Sequence, residues 1–263
     1  MLSAIKNGWE TISANTGFIL VCLGVFAGLF LIAFLYERFV MKERRRRFSD
    51  THYIAYTALF SGMAGVLMLL EIPLFFAPGF YKLDLSELPV MISTFYLGPV
   101  AGVVTELIKV VLKLILKGTS TAFVGDFANF AVGCSFVLPA AMVYHAKPGK
   151  RSALVSLIVG TVVMTVFGSA FNALYLIPKF AELFHMEIPA IVAMGTAVNK
   201  HISSVWTLVF YAVVPFNLLK GVIISAVTFL IYKRISPLMH KLDAGRTRRK
   251  THKEPEPEAE TNE

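Results

Sequence analysis

The sequence predicts an all-α integral membrane protein, and three observations carry that prediction. The 263-residue chain is 56% apolar and only 16% charged, with a mean hydropathy of +0.66. A soluble domain of this length carries more charge and shorter apolar runs. Five stretches contain no Asp, Glu, Lys or Arg: Gly17 to Tyr36, Tyr53 to Leu70, Phe127 to Tyr144, Ala153 to Pro178 and Ile202 to Leu219. Each approaches the roughly 20 apolar residues that a helix needs to cross a bilayer core. Their apolarity is continuous and lacks a period-two alternation, so the spans are helices rather than barrel strands.

The net charge of +8 would suit nucleic acid, but its placement does not. Arg38, Lys42 and Arg44 to Arg47 follow the first apolar run, and Lys147, Lys150 and Arg151 separate two later ones. Lys233, Arg234, Lys241, Arg246, Arg248, Arg249 and Lys250 follow the last. Basic residues flanking spans mark cytoplasmic loops. Cys22 and Cys134 both lie in apolar runs, which argues against a disulfide scaffold or a zinc site. The first run is long enough to be a retained anchor, with no small-residue cleavage site evident.

The stretch Leu88 to Leu116, 29 residues, is long for one span and short for two. A single crossing would put Arg44–Arg47 and Lys147–Arg151 on opposite faces; two crossings put both in the cytoplasm. Gly98-Pro99 supplies the break. The count is then seven helices, with the N-terminus outside and the C-terminus cytoplasmic. Residues 1–16 read as a polar lead. From about Leu242 the tail turns polar, and Glu254 to Glu263 is Pro/Glu-rich and expected to be disordered. Lys179 to His201, on the outer face, reads either as a surface-hugging connector or as a lid.

Ionisable or amide side chains in a span usually face the bundle interior or an aqueous cavity. Asn217 and Lys220 lie three apart on one helix face behind Pro215. Twelve uncharged residues separate Lys220 from Lys233, too many for simple snorkelling to the interface. Asn172 and Tyr175 precede Pro178, in a pattern that an interfacial tyrosine and a helix-ending proline would also explain. In Tyr81-Lys-Leu-Asp84-Leu85-Ser-Glu87-Leu-Pro89, Asp84 and Glu87 have the spacing of a helix-capping box. Glu106, Lys109, Lys113 and Lys117 recur along one face, fitting a stripe of internal ion pairs. Asp126 and Asn129 form a further i, i+3 pair. By parity, Asp84, Asp126 and Asn172 converge near the outer leaflet, as in a pocket open to the outside. No phosphate-binding glycine loop, HExxH or Gly-x-Ser-x-Gly motif occurs, and the histidines form no catalytic pair, so an enzyme is disfavoured.

Phe80-Tyr-Lys-Leu-Asp-Leu-Ser-Glu-Leu-Pro89, Leu97-Gly-Pro-Val-Ala-Gly, Glu106-Leu-Ile-Lys109, Gly125-Asp-Phe-Ala-Asn129-Phe, Asn172-x5-Pro178 and Pro215-Phe-Asn-Leu-Leu-Lys-Gly together resemble the riboflavin-specific S components of energy-coupling factor (ECF) transporters. The resemblance runs from about residue 52 to 236. It implies a six-helix S-component bundle at residues 51–236, preceded by one extra transmembrane helix and basic linker (1–50) and followed by a polar tail (237–263). It implies a substrate-capture subunit of the cell membrane, working with a transmembrane coupling subunit and two ATPase subunits, with riboflavin as transported substrate rather than cofactor. Asn172, Asn217 and Lys220 would meet the flavin heterocycle, with Tyr175 and Asn129 nearby. The loop around Asp84, Leu85 and Glu87 would close over the ligand and hold its ribityl hydroxyls. The family's coupling contact, a small-residue pair on the first core helix, maps to Ala58-x3-Gly62 or Ser61-x3-Gly65, which packing within the bundle would explain nearly as well. The competing readings are an S component for thiamine or a folate, and a membrane enzyme or an ion-conducting bundle using the Glu106–Lys117 stripe.

Overall fold

A computed structural model describes residues 16–41, 50–79, 81–119 and 123–251. The lead 1–15, the basic linker Lys42 to Arg47 and the Pro/Glu-rich Glu254 to Glu263 lie outside the described residues. The first described element is α1 (Thr16–Tyr36), which runs on as a π-helical turn (Glu37–Met41), followed by α2 (Thr51–Leu69). A small antiparallel hairpin, β1 (Ile72–Pro73) with β2 (Lys82–Leu83), pairs Ile72 with Leu83 and Pro73 with Lys82. Then come α3 (Glu87–Leu97), α4 (Pro99–Lys117), α5 (Val124–Ala146) and α6 (Lys150–Phe171). Helix α6 continues through a π turn (Asn172–Leu176) into α7 (Ile177–Leu183). A short α8 (Ile188–Thr196) leads to α9 (Val205–Leu208), a second π turn (Val209–Val213) and α10 (Val214–Thr251).

Among the described residues, five helical stretches are long and apolar enough to cross a membrane: Leu20–Met41, Thr51–Leu69, Val124–Ala146, Lys150–Glu182 and Val205–Arg234. The ambiguous stretch 88–116 folds as two helices, as expected. Gly98 breaks it with φ 118, a conformation open to glycine, and Pro99 opens the next helix where its missing N–H costs nothing. Apolar side chains such as Ile54, Leu59, Val66, Ile158, Val162, Val166 and Leu230 are more than half exposed. In water such a surface would be a liability; against lipid it is the favoured one.

Three packed regions organise the interior. The central one joins Val90, Met91 and Phe95 of α3, Phe136 and Tyr144 of α5, Leu157 and Met164 of α6, and Ile224 and Tyr232 of α10. A second, at the hairpin end, gathers Ala77, Ala173, Ile177, Ile191, Ile202, Leu208 and Val213. The third seats α1: Phe26, Phe30 and Ala33 pack with Val100 and Val103 of α4 and with Phe130 and Cys134 of α5. The two cysteines are free.

Lys179 to His201, expected as a surface-hugging connector or a lid, is largely helical: α8 occupies its middle and buries Ile191 and Val192. One expectation changes. Residues 237–251, assigned to a disordered tail, continue α10. Once nucleated by the span, a helix propagates through residues of good intrinsic propensity without needing an apolar face.

Candidate functional site

The hairpin places the first functional side chains. Glu71 Oε2 accepts from Lys82 Nζ at 2.9 Å and from Lys117 Nζ at 2.6 Å, tying the hairpin to the end of α4. Beyond β2 the chain turns inward. Asp84 Oδ1 accepts from the Ser86 backbone N–H at 2.9 Å, and Ser86 Oγ donates to the same oxygen. The capping box expected of Asp84 and Glu87 does not form: Ser86 precedes the helix without a side-chain cap bond. Both carboxylates are taken instead by lysines far away in sequence.

Those lysines build one buried network. Lys220 Nζ lies 3.0 Å from Asp84 Oδ2 and 2.9 Å from Glu87 Oε1. Glu87 Oε1 also meets Lys109 Nζ at 3.1 Å, and Lys109 reaches Glu106 Oε2 at 2.7 Å. All five residues are at most 6% exposed. Charges this far from solvent persist only when paired. Burial alone would raise the Asp84 carboxyl. The ammoniums of Lys220 and Lys109, together with the Ser86 donors, outweigh it and lower the carboxyl to about 2. Lys113 pairs with Asp126 at 2.6 Å. Each charge of the Glu106–Lys117 stripe thus has an internal partner, so the stripe ties helices together rather than lining an ion path.

Beside this network lies a cavity of about 150 Å³, the size of a void that takes up an aromatic ring. Glu87, Asn129, Asn172, Asn217 and Lys220 line it, with Tyr81 and Lys82 from the hairpin. Val124, Val132, Leu176, Ile177, Phe180, Ile191 and Phe216 supply apolar walls. Tyr81 Oη donates to Asn172 Oδ1 at 2.8 Å, and Asn172 Nδ2 donates to the Gly168 carbonyl at 2.7 Å. The Asn172 amide is therefore held from both ends. By contrast, Asn217 Nδ2 and Asn129 Oδ1 are buried with no hydrogen-bond partner. A buried donor and a buried acceptor left open beside a cavity are costly in the empty protein and ready for a ligand.

The two π turns set the geometry of this wall. Ile177 N–H bonds to Asn172 O and Val214 N–H to Val209 O, each five residues back. In both cases a proline follows immediately, Pro178 and Pro215, whose missing N–H the wider turn accommodates. Pro178 therefore does not end the fourth apolar run, which continues as a helix to Leu183. The wider turn also brings residues i, i+4 and i+5 together, so Asn172, Leu176 and Ile177 share the cavity wall. Tyr175, assigned to the site, points elsewhere: its ring stacks on Phe171 (5.4 Å, 9°) and meets Phe127 edge-on, against Cys22 and Val25 of α1.

Asp84 and Leu85 stand behind the lining rather than in it. Asp84 acts through Lys220, and Leu85 packs on the central core. Tyr81, Phe216, Phe180 and Ile191 were not singled out from the sequence as lining residues. A phenol in the motif loop and an aromatic next to Asn217 were the available signals. On α2 the two small-residue pairs separate. Ser61 is buried and donates to Thr57 O, and a Cβ on Gly65 would fall 3.0 Å from Leu112, so this pair serves α2–α4 packing and is unavailable to a partner. Ala58 is exposed, and nothing lies within 4 Å of a Cβ on Gly62.

Comparison with known proteins agrees with this architecture. Residues 52–232 match the family described as ECF transporter, substrate-specific component. The riboflavin transporter FmnP of Bacillus subtilis is 33% identical over 181 residues, 68% of this chain and 90% of that protein. The riboflavin transporter RibU of Staphylococcus aureus is 32% identical over 185 residues, 70% of this chain and 90% of that one. A solved S component of a bacterial ECF transporter superposes with a TM-score of 0.56 at 31% identity, covering 72% of this chain and 97% of that one. The matched region begins at residue 52, after α1. From the family match, the bundle and the apolar helices together, this chain is a multi-pass membrane protein and not an enzyme, and it belongs to the substrate-specific components of ECF transporters.

Proposed function

We propose that this chain captures riboflavin from the outer side of the cell membrane and delivers it to a transmembrane coupling subunit driven by two ATPase subunits. In this reading the N-terminus is outside and the C-terminus cytoplasmic, as the flanking basic residues favour. The observation that carries the ligand assignment is the open pair of amide atoms, Asn217 Nδ2 and Asn129 Oδ1, beside apolar and aromatic walls. An isoalloxazine offers carbonyl acceptors and an imide donor on one edge of a flat apolar ring, which complements such a wall. The riboflavin transporters named above support the same substrate.

Roles divide accordingly. Asn217 and Asn129 meet the polar edge of the ring, and Asn172, oriented by Tyr81, presents its remaining amide hydrogen. Lys220 and Glu87 form the charged floor, kept in place by Asp84 and Lys109. Lys82 and the hairpin sit at the mouth, where the ribityl chain leaves. Ala58 and Gly62 offer the flat surface on α2 for the coupling subunit. The test is equilibrium titration of the purified protein with riboflavin, thiamine and a folate by isothermal titration calorimetry, with quenching of flavin fluorescence as a second readout for riboflavin. Trp206 is 66% exposed and outside the cavity lining, so it is a poor reporter. Saturable binding of riboflavin alone supports the assignment; saturable thiamine or folate binding without riboflavin binding refutes it.

A further inference from the structure

Gly168 lies in the last turn of α6, buried, with ordinary helical geometry. Glycine in a helix interior is disfavoured relative to alanine, so its presence needs a local reason. A Cβ at this position would fall 2.9 Å from Asn217 Nδ2, 3.4 Å from Asn217 Cγ and 3.3 Å from Val132 Cγ1. The Asn217 amide of α10 thus rests directly against Gly168 of α6. The carbonyl of the same glycine accepts from Asn172 Nδ2 at 2.7 Å. One residue therefore fixes the depth of one site amide and the direction of the other.

We propose that Gly168 is a positioning residue, which seats the Asn217 amide at the depth the ligand requires. This rests on the reading that the cavity takes riboflavin. A methyl at residue 168 leaves the carbonyl bond to Asn172 intact. Its closest contact is the far end of a flexible side chain, which moves at little cost. Val132 Cγ1, at 3.3 Å, gives way by a few tenths of an ångström. The displaced amide moves toward the cavity and out of register with the ring edge. Gly168→Ala consequently separates two properties that usually fall together: the helix gains from the substitution while the site loses.

The experiment is a double-mutant cycle, with riboflavin affinity and thermal unfolding measured on full-length wild type, Gly168→Ala, Asn217→Ala and the double variant. The expected result is a roughly tenfold weaker affinity for Gly168→Ala, the scale of one ligand hydrogen bond, with no fall in melting temperature. In the Asn217→Ala background the same substitution costs no further affinity. Wild-type affinity in Gly168→Ala overturns the proposal. So does an equal loss in both backgrounds, or a loss that tracks a lower melting temperature. Failure of the wild type itself to bind riboflavin overturns the substrate assignment first, and this result is distinguishable from the others.

Discussion

At the scale of single residues, the site divides into atoms that are already committed and atoms that wait. Asn172 is held at both ends, whereas Asn217 Nδ2 has no partner. Removing each kind has a different signature. Asn217→Ala deletes an unpaired donor, so it should weaken riboflavin binding roughly tenfold with stability unchanged or improved. Lys220→Met strips the shared cation from Asp84 and Glu87 at once. Breaking a buried pair from one side costs about 3–5 kcal/mol, so this variant should lose both riboflavin binding and thermal stability. Thermal unfolding beside a flavin titration separates the two cases. Equal melting temperatures for both variants would show that Lys220 is not the keystone of the network. A sequence reading could place Lys220 in the membrane and on the Asn217 face. It could not show that two carboxylates, 136 and 133 positions earlier, already neutralise it.

At the scale of elements, the hairpin and the π turns do the placing. Glu71 holds the hairpin to α4 through Lys82 and Lys117. Burial alone would raise the Glu71 carboxyl, but the hydrogen bonds from Lys117 and Lys82 outweigh it and hold it below its ordinary 4.5. A carboxyl lowered in the folded protein contributes its tie in full above 4.5 and loses it as pH falls through the lower folded value. Riboflavin release, followed by stopped-flow fluorescence, should be independent of pH down to the ordinary carboxylate range and accelerate below it. Glu71→Gln should release ligand roughly two- to fivefold faster at neutral pH, the scale of an exposed ion pair. It should also lose the acid acceleration. Unchanged release in Glu71→Gln would mean that the hairpin is held by its other contacts. The π turns explain where element-level reading fails. The positions of Asn172 and Pro178 were legible, and the pair suggested the end of a span. An extra residue per turn keeps the helix going and swings Tyr175 toward α1, a change of phase that no propensity encodes. The break at Gly98 was legible because glycine before proline is a local signal, independent of distant partners.

At the scale of the whole molecule, the substrate bundle is joined by a helix outside the family match. That helix does more than anchor. Glu37, 1% exposed, accepts from the Val100 backbone N–H at 2.9 Å and so satisfies the start of α4, next to the Gly98 break. Glu37→Ala should destabilise the protein by about 1–3 kcal/mol through the orphaned N–H. An unaltered melting temperature would show α1 to be a passive neighbour. The outward face of α2 divides in the same functional way. Gly62→Leu enters open space, so it should leave folding and riboflavin binding intact while lowering uptake in cells through lost coupling. Gly65→Leu collides with Leu112 and should instead lower stability. Wild-type uptake with Gly62→Leu would remove this face from the coupling contact. Membrane class, helical break and polar minority were readable from composition and local motifs. Which of the two small-residue pairs is free was not, because both have the same spacing and only the packing of α4 distinguishes them.

In the proposed function the open amides of this cavity receive a flavin ring. A structure of the purified protein solved with riboflavin bound tests it most directly. The expected result is the isoalloxazine inside the cavity, its polar edge within hydrogen-bond distance of Asn217 Nδ2 and Asn129 Oδ1, and the Asn172 amide still tied to Tyr81 and Gly168. A flavin bound elsewhere, or one that occupies the cavity and leaves both amide atoms unpartnered, would contradict it.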